Sequence, residues 1–284
     1  MSAGDDAVSQ DESAEPGEAA GPTRAQDAWE QAWTLALAIA IALAIRAFVI
    51  EPFRIPSGSM LPTLLIGDHL FVNKFVYGPR IPFTEIRLPG LREPERGDVI
   101  VFEVAREGGG PHAPIFPADE RPELRTDDFV KRLVGLPGDQ ISVVNGRIYV
   151  NGEEMRWAST GETFTDDHGR DLDWFREALG DCEHDVLDDP VPGVGGAPPR
   201  TLTVPEGRYF MMGDNRDWSA DSRIWGTIRK AEMKGPAFFL YWSWDVNGSA
   251  LQFLNPVNWF TADKRWDRVF TSVSCDVPGS GAGG

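Results

Sequence analysis

Two serines on either side of one glycine are the first residues in this chain whose types and spacing suit a chemical reaction. They lie in the segment Ile55-Pro56-Ser57-Gly58-Ser59-Met60-Leu61-Pro62-Thr63-Leu64. The prolines restrict the backbone around them to extended or turn conformations, so we expect the two hydroxyls to be held in a fixed turn. A fixed hydroxyl can act as a nucleophile in acyl transfer once a base activates it. Taken alone, the string is more typical of an ordinary loop, and its interpretation depends on a partner base elsewhere.

The candidate base is Lys131, which lies in an apolar stretch between Val130 and Leu133. Burial removes the solvation of an ammonium group and lowers its pKa, so a neutral amine can exist near neutral pH. On a strand, the adjacent Arg132 would point to the opposite face, which lets Arg132 be exposed while Lys131 faces inward. A buried lysine of this kind is a competent general base.

Composition argues against several other kinds of chemistry. The four histidines have no HExxH spacing, so the sequence predicts no metal site. The two cysteines, Cys182 and Cys275, have no CxxC spacing, and either one disulfide or two free thiols is compatible with the sequence. The net charge is -17, and no concentrated basic face is visible, which excludes nucleic acid as an expected partner.

Four segments, in this order, resemble bacterial signal peptidase I, the membrane-bound leader peptidases with a serine/lysine dyad. They read PSGSMLPTL, RGDVIVF, KRLVGLPGD and GDNRDWSADSRIWG. The likeness extends from the apolar segment before the serines to about Gly226 and is weaker from Lys264 to Phe270. It does not cover the acidic N-terminal tail, the detail of residues 153–200 or the end of the chain.

The resemblance implies a role for both serines and for the lysine. Ser59 corresponds to the nucleophile and Lys131 to the general base that removes its proton. Ser57 corresponds to a side-chain donor to the oxyanion, acting with the backbone N–H of Ser59. The chemistry agrees, because a serine at its free pKa is a poor nucleophile and needs such a base.

The same resemblance assigns supporting roles nearby. Ser219 matches the serine that hydrogen-bonds and orients the lysine amine, while Asp221 and Arg223 match a supporting ion pair. Met60 matches a position that lines the substrate cleft, although simple core packing is an equal alternative.

The implied reaction is hydrolysis of one peptide bond in a secretory preprotein, after small residues of the Ala-x-Ala type and through an acyl-enzyme. No cofactor is implied. The expected partners are signal peptides of secretory preproteins and membrane lipid, with contact to the secretion machinery as a further possibility. An extended substrate would pair along a strand edge, where main-chain bonds give affinity and alternate side chains give specificity.

The element that would hold this chemistry at a membrane is the apolar segment 29–50, WEQAWTLALAIAIALAIRAFVI. Its 19 positions from Ala32 to Ile50 would extend roughly 28 Å as a helix, about one hydrocarbon core. A cleaved signal peptide and a buried core helix are the alternatives, but a signal peptide usually has a basic start and this segment follows an acidic tail. We expect a single-pass anchor.

Loop charge does not orient this anchor, because Arg24 lies on one side and Arg46 and Arg54 on the other. The family resemblance instead implies a catalytic domain on the outer, extracytoplasmic side of the plasma membrane, which in a Gram-negative cell is the periplasmic side of the inner membrane. Many members of the family carry two spans before the serine, whereas this sequence predicts one.

The residues after the serines predict a mainly β fold, a signal-peptidase-like β domain behind an N-terminal transmembrane helix. Strand patterns occur at His69 to Gly78 and from Val99 to Phe102, and Asn145-Gly146 predicts a hairpin between Gln140 and Val150. Asp98 is expected to brace a turn, with a catalytic role as the less favoured alternative. A polar loop is expected over 105–126.

Charge and composition divide the chain further. Residues 1–30 carry eight acidic residues against Arg24, and residues 151–200 carry thirteen against four arginines. We expect a disordered acidic tail at 1–28, an anchor at 29–50, a catalytic β domain at 51–152 and 201–274, an acidic insertion at 153–200 and a flexible tail at 275–284. Within the insertion, only Leu172 to Leu179 resembles a helix. The insertion could be a lid, a docking site or a solvated spacer.

Two other readings remain open. A self-cleaving SOS-type repressor also uses serine and lysine, but it would need a DNA-binding helix-turn-helix where this chain has an apolar span. An inactive, membrane-anchored β domain that binds partners through the insertion is the third reading.

Overall fold

Antiparallel β-strands make up most of the regular structure in the computed structural model, which describes residues 24–81, 84, 86–109, 113–144, 146–191, 200–245 and 263–275. The chain divides into two compact units, residues 1–43 and 44–284. The mainly β fold with an N-terminal apolar helix confirms the fold class expected from the sequence.

Helix α1 spans Arg24–Phe48, and its large apolar side chains from Trp29 to Ile45 are exposed. Its segment Trp29–Phe48, 20 residues, is long and apolar enough to cross a membrane. The helix ends at Phe48, two residues before the predicted end of the anchor, because Val49 forms a turn and strand β1 starts at Ile50. Residues 24–28 of the predicted disordered tail are helical, since α1 begins at Arg24, while residues 1–23 lie outside the described residues.

Three antiparallel sheets follow. Their strands are β1 Ile50–Arg54, β2 Asp68–Asn73, β3 Val99–Arg106, β4 Ile115–Pro117, β5 Arg125–Gly135, β6 Gln140–Val144, β7 Arg147–Val150, β8 Glu153–Glu154, β9 Arg156–Thr165, β10 Asp171–Leu179, β11 Cys182–Asp188, β12 Arg200–Thr203, β13 Arg208–Met212, β14 Ile228–Arg229 and β15 Met233–Ser243. The largest sheet has the order β1-β2-β15-β3-β5-β13-β14, with β4 paired to β3. A four-stranded sheet has the order β12-β6-β7-β8, and a three-stranded sheet has the order β11-β10-β9.

Burial of apolar side chains on both faces of the large sheet provides the main driving force for this arrangement. One buried cluster lies between the serine turn and strands β2, β3 and β15, with Met60, Leu64 and Leu70 fully buried. A second cluster includes Phe102, Met211 and Met233 on β3, β13 and β15. Both clusters pack against the strand that carries Lys131, and they make that strand a rigid support.

Several strand predictions are confirmed, and others are wrong in detail. Strands β6 and β7 pair with Val144 opposite Arg147, as the hairpin signal predicts. The predicted strand from His69 to Gly78 instead ends at Asn73, whose side chain caps the short helix α2, Lys74–Tyr77, by accepting a bond from the Phe75 N–H. The predicted loop 105–126 contains the short strand β4.

The helix expected at Leu172 to Leu179 is wrong, because this stretch lies within strand β10. It pairs on one side with β9 and on the other with β11. Short helix-like patterns are overridden where two neighbouring strands can satisfy the backbone. The predicted insertion therefore contains a three-stranded sheet, β9-β10-β11, which we call the insertion sheet.

One further expectation is tested by the fold. Of the predicted flexible tail 275–284, residues 276–284 lie outside the described residues, while Cys275 forms a disulfide with Cys182 at a Cα separation of 5.1 Å. The bridge resolves the choice between paired and free thiols that the sequence leaves open. It joins the start of β11 in the insertion sheet to the end of the described chain.

Candidate active site

Ser57 and Ser59 lie where the chain leaves strand β1. Gly58–Met60 form a single 3₁₀ turn, and Ser57 precedes it with an extended backbone at φ -140° and ψ 153°. The turn is held from outside by Asn215, whose side chain donates to the carbonyl of Gly58 at 3.0 Å and whose N–H donates to that of Ser59 at 3.3 Å. Ser57 is exposed and Ser59 is half-buried.

Lys131 lies on β5 with only 3% of its surface exposed, and its amine donates a hydrogen bond to Ser59 Oγ. Burial lowers the pKa of this lysine to about 8, against the opposing effect of the carboxylates of Asp221 and Asp214. The Arg223 guanidinium lowers it further. Near neutral pH a useful fraction of Lys131 is therefore neutral and can accept the Ser59 proton.

The segment 213–223, which we call the support loop, lies directly behind the two reactive groups. Its first residue must be glycine, because a Cβ on Gly213 would overlap both Ser219 Oγ and the main-chain oxygen of Ser59. Ser219 is buried, but its Oγ makes no hydrogen bond, so the predicted bond to Lys131 is not formed in this structure. Ser219 is thus adjacent to the Ser59 backbone and retains unused hydrogen-bonding capacity.

Asp221 and Arg223 form the buried ion pair that the sequence predicts, at 2.8 Å. Asp221 also accepts a bond from the Gly213 N–H at 3.0 Å and caps the short helix α3, Ser222–Trp225. These bonds close the support loop on itself. Asp221 also acts on Lys131 at a distance, because its negative charge favours the ammonium form.

Arg132 is the residue that sequence reasoning misjudges most. It is expected to be exposed, but only 1% of its surface is accessible and its guanidinium binds Asp214 at 2.8 and 2.6 Å. Lys131 and Arg132 do point to opposite faces of β5, yet the second face is also covered, by the support loop and the insertion sheet. Thr63 completes this pair by donating to Asp214 at 2.6 Å. In the sequence, the aspartate of Gly213-Asp214-Asn215 is the one signal that could have predicted a partner for Arg132.

Met60 does not line the cleft. It is fully buried in the core cluster with Leu64 and Leu70, so core packing, the alternative reading of this position, is the correct one. Asp98 likewise has the bracing role: it binds Arg92 at 2.7 Å, and its carboxylate also accepts a bond from the Tyr77 hydroxyl at 2.5 Å.

The insertion sheet is joined to the support loop through buried charges. Glu177 on β10 pairs with Arg216, at 2.9 Å to one guanidinium nitrogen, and both residues are almost wholly buried. The Arg216 charge holds the pKa of Glu177 near 2, although burial alone would raise it. Main-chain bonds between Leu187 of β11 and residues 214 and 216 reinforce this connection. The insertion is therefore more than a solvated spacer.

An open cleft of about 540 Å³ runs past Ser59 and Lys131. Strand β5 forms one side, and along Asp127–Val130 it pairs only with β3, because β13 pairs with β5 only from Arg132 to Gly135. Among the described residues, the second edge of this stretch has no strand partner. The lining residues are Pro56, Ser57, Ser59, Arg106, Ile115, Asp127, Asp128, Phe129, Val130, Lys131, Trp218 and Ala220.

No group of three or more His, Cys, Asp or Glu side chains is placed to hold a metal ion within the part of the chain that the structure describes. His184, the most deeply buried histidine there, lies among Glu177, Asp214 and Arg132. Burial is the largest cause that lowers its pKa.

Comparison with known proteins identifies the family of this chain. A family model described as signal peptidase, peptidase S26, matches residues 28–242. Signal peptidase I of Pseudomonas aeruginosa is 38% identical over 213 residues, covering 70% of this chain and 67% of that protein. Signal peptidase I of Pseudomonas fluorescens is 37% identical over 211 residues, again covering 70% of this chain and 67% of that protein.

A solved signal peptidase I from Enterococcus faecalis V583 covers 51% of this chain and 97% of its own length, at 23% identity and a TM-score of 0.30. That likeness is too low to support the fold. The family model and the two Pseudomonas relatives are sufficient on their own, and they confirm the resemblance first seen in the four sequence segments. This chain belongs to the signal peptidase family, peptidase S26.

Proposed function

We propose that this chain is a signal peptidase I: a membrane-bound serine endopeptidase that removes N-terminal signal peptides from secretory preproteins after small residues of the Ala-x-Ala type. Membership of the peptidase S26 family and relatives named signal peptidase I support the class of activity. The observation that carries the proposal is the hydrogen bond from the buried Lys131 amine to the Ser59 hydroxyl.

In the first half of the reaction, neutral Lys131 takes the proton of Ser59 as Ser59 Oγ attacks the scissile carbonyl carbon. The tetrahedral intermediate carries its negative charge on the former carbonyl oxygen, which the Ser57 hydroxyl and the Ser59 N–H stabilise. The Lys131 ammonium then protonates the departing amine of the mature protein. An ester on Ser59 remains as the acyl-enzyme.

In the second half, Lys131 deprotonates a water molecule that attacks this ester. The signal peptide is released, and Ser59 recovers its proton from Lys131. The unused Oγ of buried Ser219 is available to hydrogen-bond and orient the lysine amine during both halves, although this bond is not formed in the structure, and the Asp221–Arg223 pair keeps the support loop in place. Such restraint matters because a lysine side chain has four torsions to fix.

The substrate binds as an extended strand along the free edge of β5 between Asp127 and Val130. Main-chain hydrogen bonds there are independent of side-chain identity, so selection falls to the side chains that face the cleft. The preference for small residues that the family resemblance implies would require shallow pockets beside Ser59. No cofactor takes part.

The chain is anchored by the single span within α1, with the catalytic domain on the periplasmic side of the inner membrane. The Cys182–Cys275 disulfide supports this side, because disulfides persist in oxidising compartments and are rare in the cytosol. Membrane lipid surrounds the span, and the secretion machinery delivers the substrate. Resistance of the catalytic domain to externally added protease in spheroplasts would contradict this orientation.

The test is cleavage of a purified preprotein by the full chain in detergent, followed by N-terminal sequencing of the product. We expect a single cut directly after the Ala-x-Ala site. A preprotein with a bulky residue in place of the last alanine is the matched control and should stay intact. Absence of cleavage, or cuts scattered through the preprotein, would contradict the proposed function and favour an inactive binding domain.

A further inference from the structure

Trp218 lies next to Ser219 in the support loop and lines the cleft together with Ser59 and Lys131. Its side chain is 36% exposed, whereas the neighbours Asp217 and Ser219 are more covered. The free edge of β5 between Asp127 and Val130 lines the same cleft. An extended chain bound along β5 would therefore pass the indole ring of Trp218.

One face of this ring is covered by Arg170, whose guanidinium carbon is 3.4 Å from the ring centroid. A guanidinium stacks on an aromatic face through its planar shape and its charge, and such contacts hold both groups in place. The edge of the ring is held as well, because Trp218 Nε1 donates to Asp189 at 3.3 Å. The indole is fixed on a face and at an edge.

Arg170 is itself fixed by Asp166, four residues earlier in the turn between β9 and β10. Arg170 Nε donates to Asp166 at 2.7 Å, and the Arg170 and His168 N–H groups donate to the same carboxylate at 2.9 Å. The side chain of Asp166 is almost wholly buried. A charge so fully paired leaves Arg170 little freedom to leave the ring.

Both restraints on Trp218 come from the insertion sheet or from the residue that follows it. The sheet is tied to the support loop by the buried Glu177–Arg216 pair, and the Asp189 N–H donates to Asp217 at 2.7 Å. Arg170, Asp189 and the indole ring that they hold are thus parts of one connected structure. This connection gives the insertion a route to the substrate although it contributes no lining residue of its own.

We propose that Trp218 is a specificity-determining residue that contacts one substrate side chain near the scissile bond, and that the Asp166–Arg170 pair positions its indole ring. This inference rests on the proposed function. A flat ring that cannot move aside limits the size of the side chain that fits opposite it. The insertion sheet then acts on substrate choice through Arg170.

The test compares cleavage of a peptide series by the full chain in detergent. Every peptide carries the Ala-x-Ala site. In each member of the series a single residue near the scissile bond, on one side or the other, is changed from alanine to leucine. For Trp218→Ala we expect the ratio of kcat/KM for leucine over alanine to rise at least about 10-fold at one position and to stay unchanged at the others. Trp218→Phe keeps a flat ring and should keep the wild-type ratios.

Arg170→Ala should shift the ratio at the same single position, by less than Trp218→Ala does. Arg176→Ala is the matched control, because Arg176 also pairs with an aspartate in the insertion sheet, Asp185 at 2.9 Å, but does not stack on Trp218. A general loss of folding would lower kcat/KM for every peptide together. A change confined to one position is not expected from a purely structural role.

The outcomes separate this inference from the proposed function. If the wild-type chain cleaves the alanine peptide and Trp218→Ala leaves all ratios as in the wild type, the inference is wrong and the function stands. Equal changes at every position, or an effect of Arg176→Ala as large as that of Arg170→Ala, also overturn it. If the wild-type chain cleaves no peptide in the series, the proposed function fails and the inference fails with it.

Discussion

Lys131 is buried beside Ser59, and the cost of burying its charge sets the pH range in which the pair can react. Desolvation lowers its pKa to about 8, whereas an exposed lysine titrates near 10.4. The depressed value keeps a neutral amine available without a histidine. The lowered pKa of Lys131 is the physical basis for proposing it as the base that activates Ser59, and it predicts a measurable pH dependence.

We expect kcat/KM to rise with pH, about tenfold per unit on the acid side, and to level off above about pH 8. The sign follows because only the neutral amine can accept the Ser59 proton. Asp221→Asn should move this limb to lower pH, since the Asp221 carboxylate raises the pKa of Lys131. Steady-state rates on a peptide without titrating groups, at several pH values, measure both effects. A limb near pH 10, or an upward shift in Asp221→Asn, would be inconsistent with a buried base.

Ser57 is predicted to act only in the transition state. Ser57→Ala should lower kcat about 100-fold or more and leave KM nearly unchanged, because one oxyanion donor is lost. Ser142→Ala, which removes a hydroxyl on β6 that shares a hydrogen bond with Thr201, is the control and should behave as wild type. An unchanged kcat in Ser57→Ala would remove Ser57 from the oxyanion site.

Strand β5 is the element that positions the site, because it presents Lys131 to the cleft and Arg132 to the layer behind it. Arg132 and Asp214 are both buried, at 1% exposure each. Through their pairing, the strand that carries the base is fastened to the loop that carries Ser219. The element thus fixes the distance between groups that are far apart in sequence.

Breaking this pair should destabilise the fold strongly. Asp214→Asn leaves the Arg132 charge buried without its partner, which typically costs about 3–5 kcal/mol in the free energy of unfolding. Denaturant unfolding measures the loss. Glu154→Gln is the control, since the Arg147–Glu154 pair is 50% and 40% exposed, and it should change stability by less than about 1 kcal/mol. Equal, small effects of both changes would contradict the anchoring role of the pair.

The elements also show which features can be predicted from sequence. Local signals succeed: Asn145-Gly146 predicts the hairpin, and the apolar run from Val99 predicts a buried strand, because neighbours in the chain determine both. Pairings across long stretches of chain do not follow from local pattern. The burial of Arg132 depends on Asp214, 82 positions away, and the strand at Leu172 to Leu179 depends on two partner strands.

The same contrast holds for the site. The four matching segments are sufficient to predict Ser57, Ser59, Lys131 and the Asp221–Arg223 pair in one place. The resemblance does not extend to the detail of residues 153–200, so it does not predict that Glu177 and Arg170 contact the support loop. For Met60 the resemblance implies a cleft position that the structure does not show, because a residue next to Ser59 in sequence can still point into the core.

In the whole molecule, composition alone suggests a solvated acidic segment at residues 151–200, whereas the structure has ordered strands there. Residues 151–200 carry thirteen acidic residues, and several of them are paired with arginines, among them Asp166, Glu177 and Asp185. The insertion is therefore an ordered sheet whose charges are partly neutralised. It is joined to the rest of its unit by the Glu177–Arg216 pair and by the disulfide.

Loss of the disulfide should be visible as a change in global stability. Cys182 and Cys275 are 93 positions apart, and a loop of this length corresponds to about 4–5 kcal/mol in the chain-entropy model. The double change Cys182→Ser with Cys275→Ser should lower the denaturant midpoint by the same amount as adding reductant to the wild type. A midpoint that responds to neither would show that the bridge does not constrain the unfolded chain.

We propose above that Ser59 attacks and Lys131 activates it, at the surface of a membrane. The most direct test measures preprotein cleavage by the wild type, Ser59→Ala and Lys131→Ala side by side, with folding checked by circular dichroism. We expect rapid processing by the wild type and none by either folded variant. Wild-type-like turnover in either variant would contradict it.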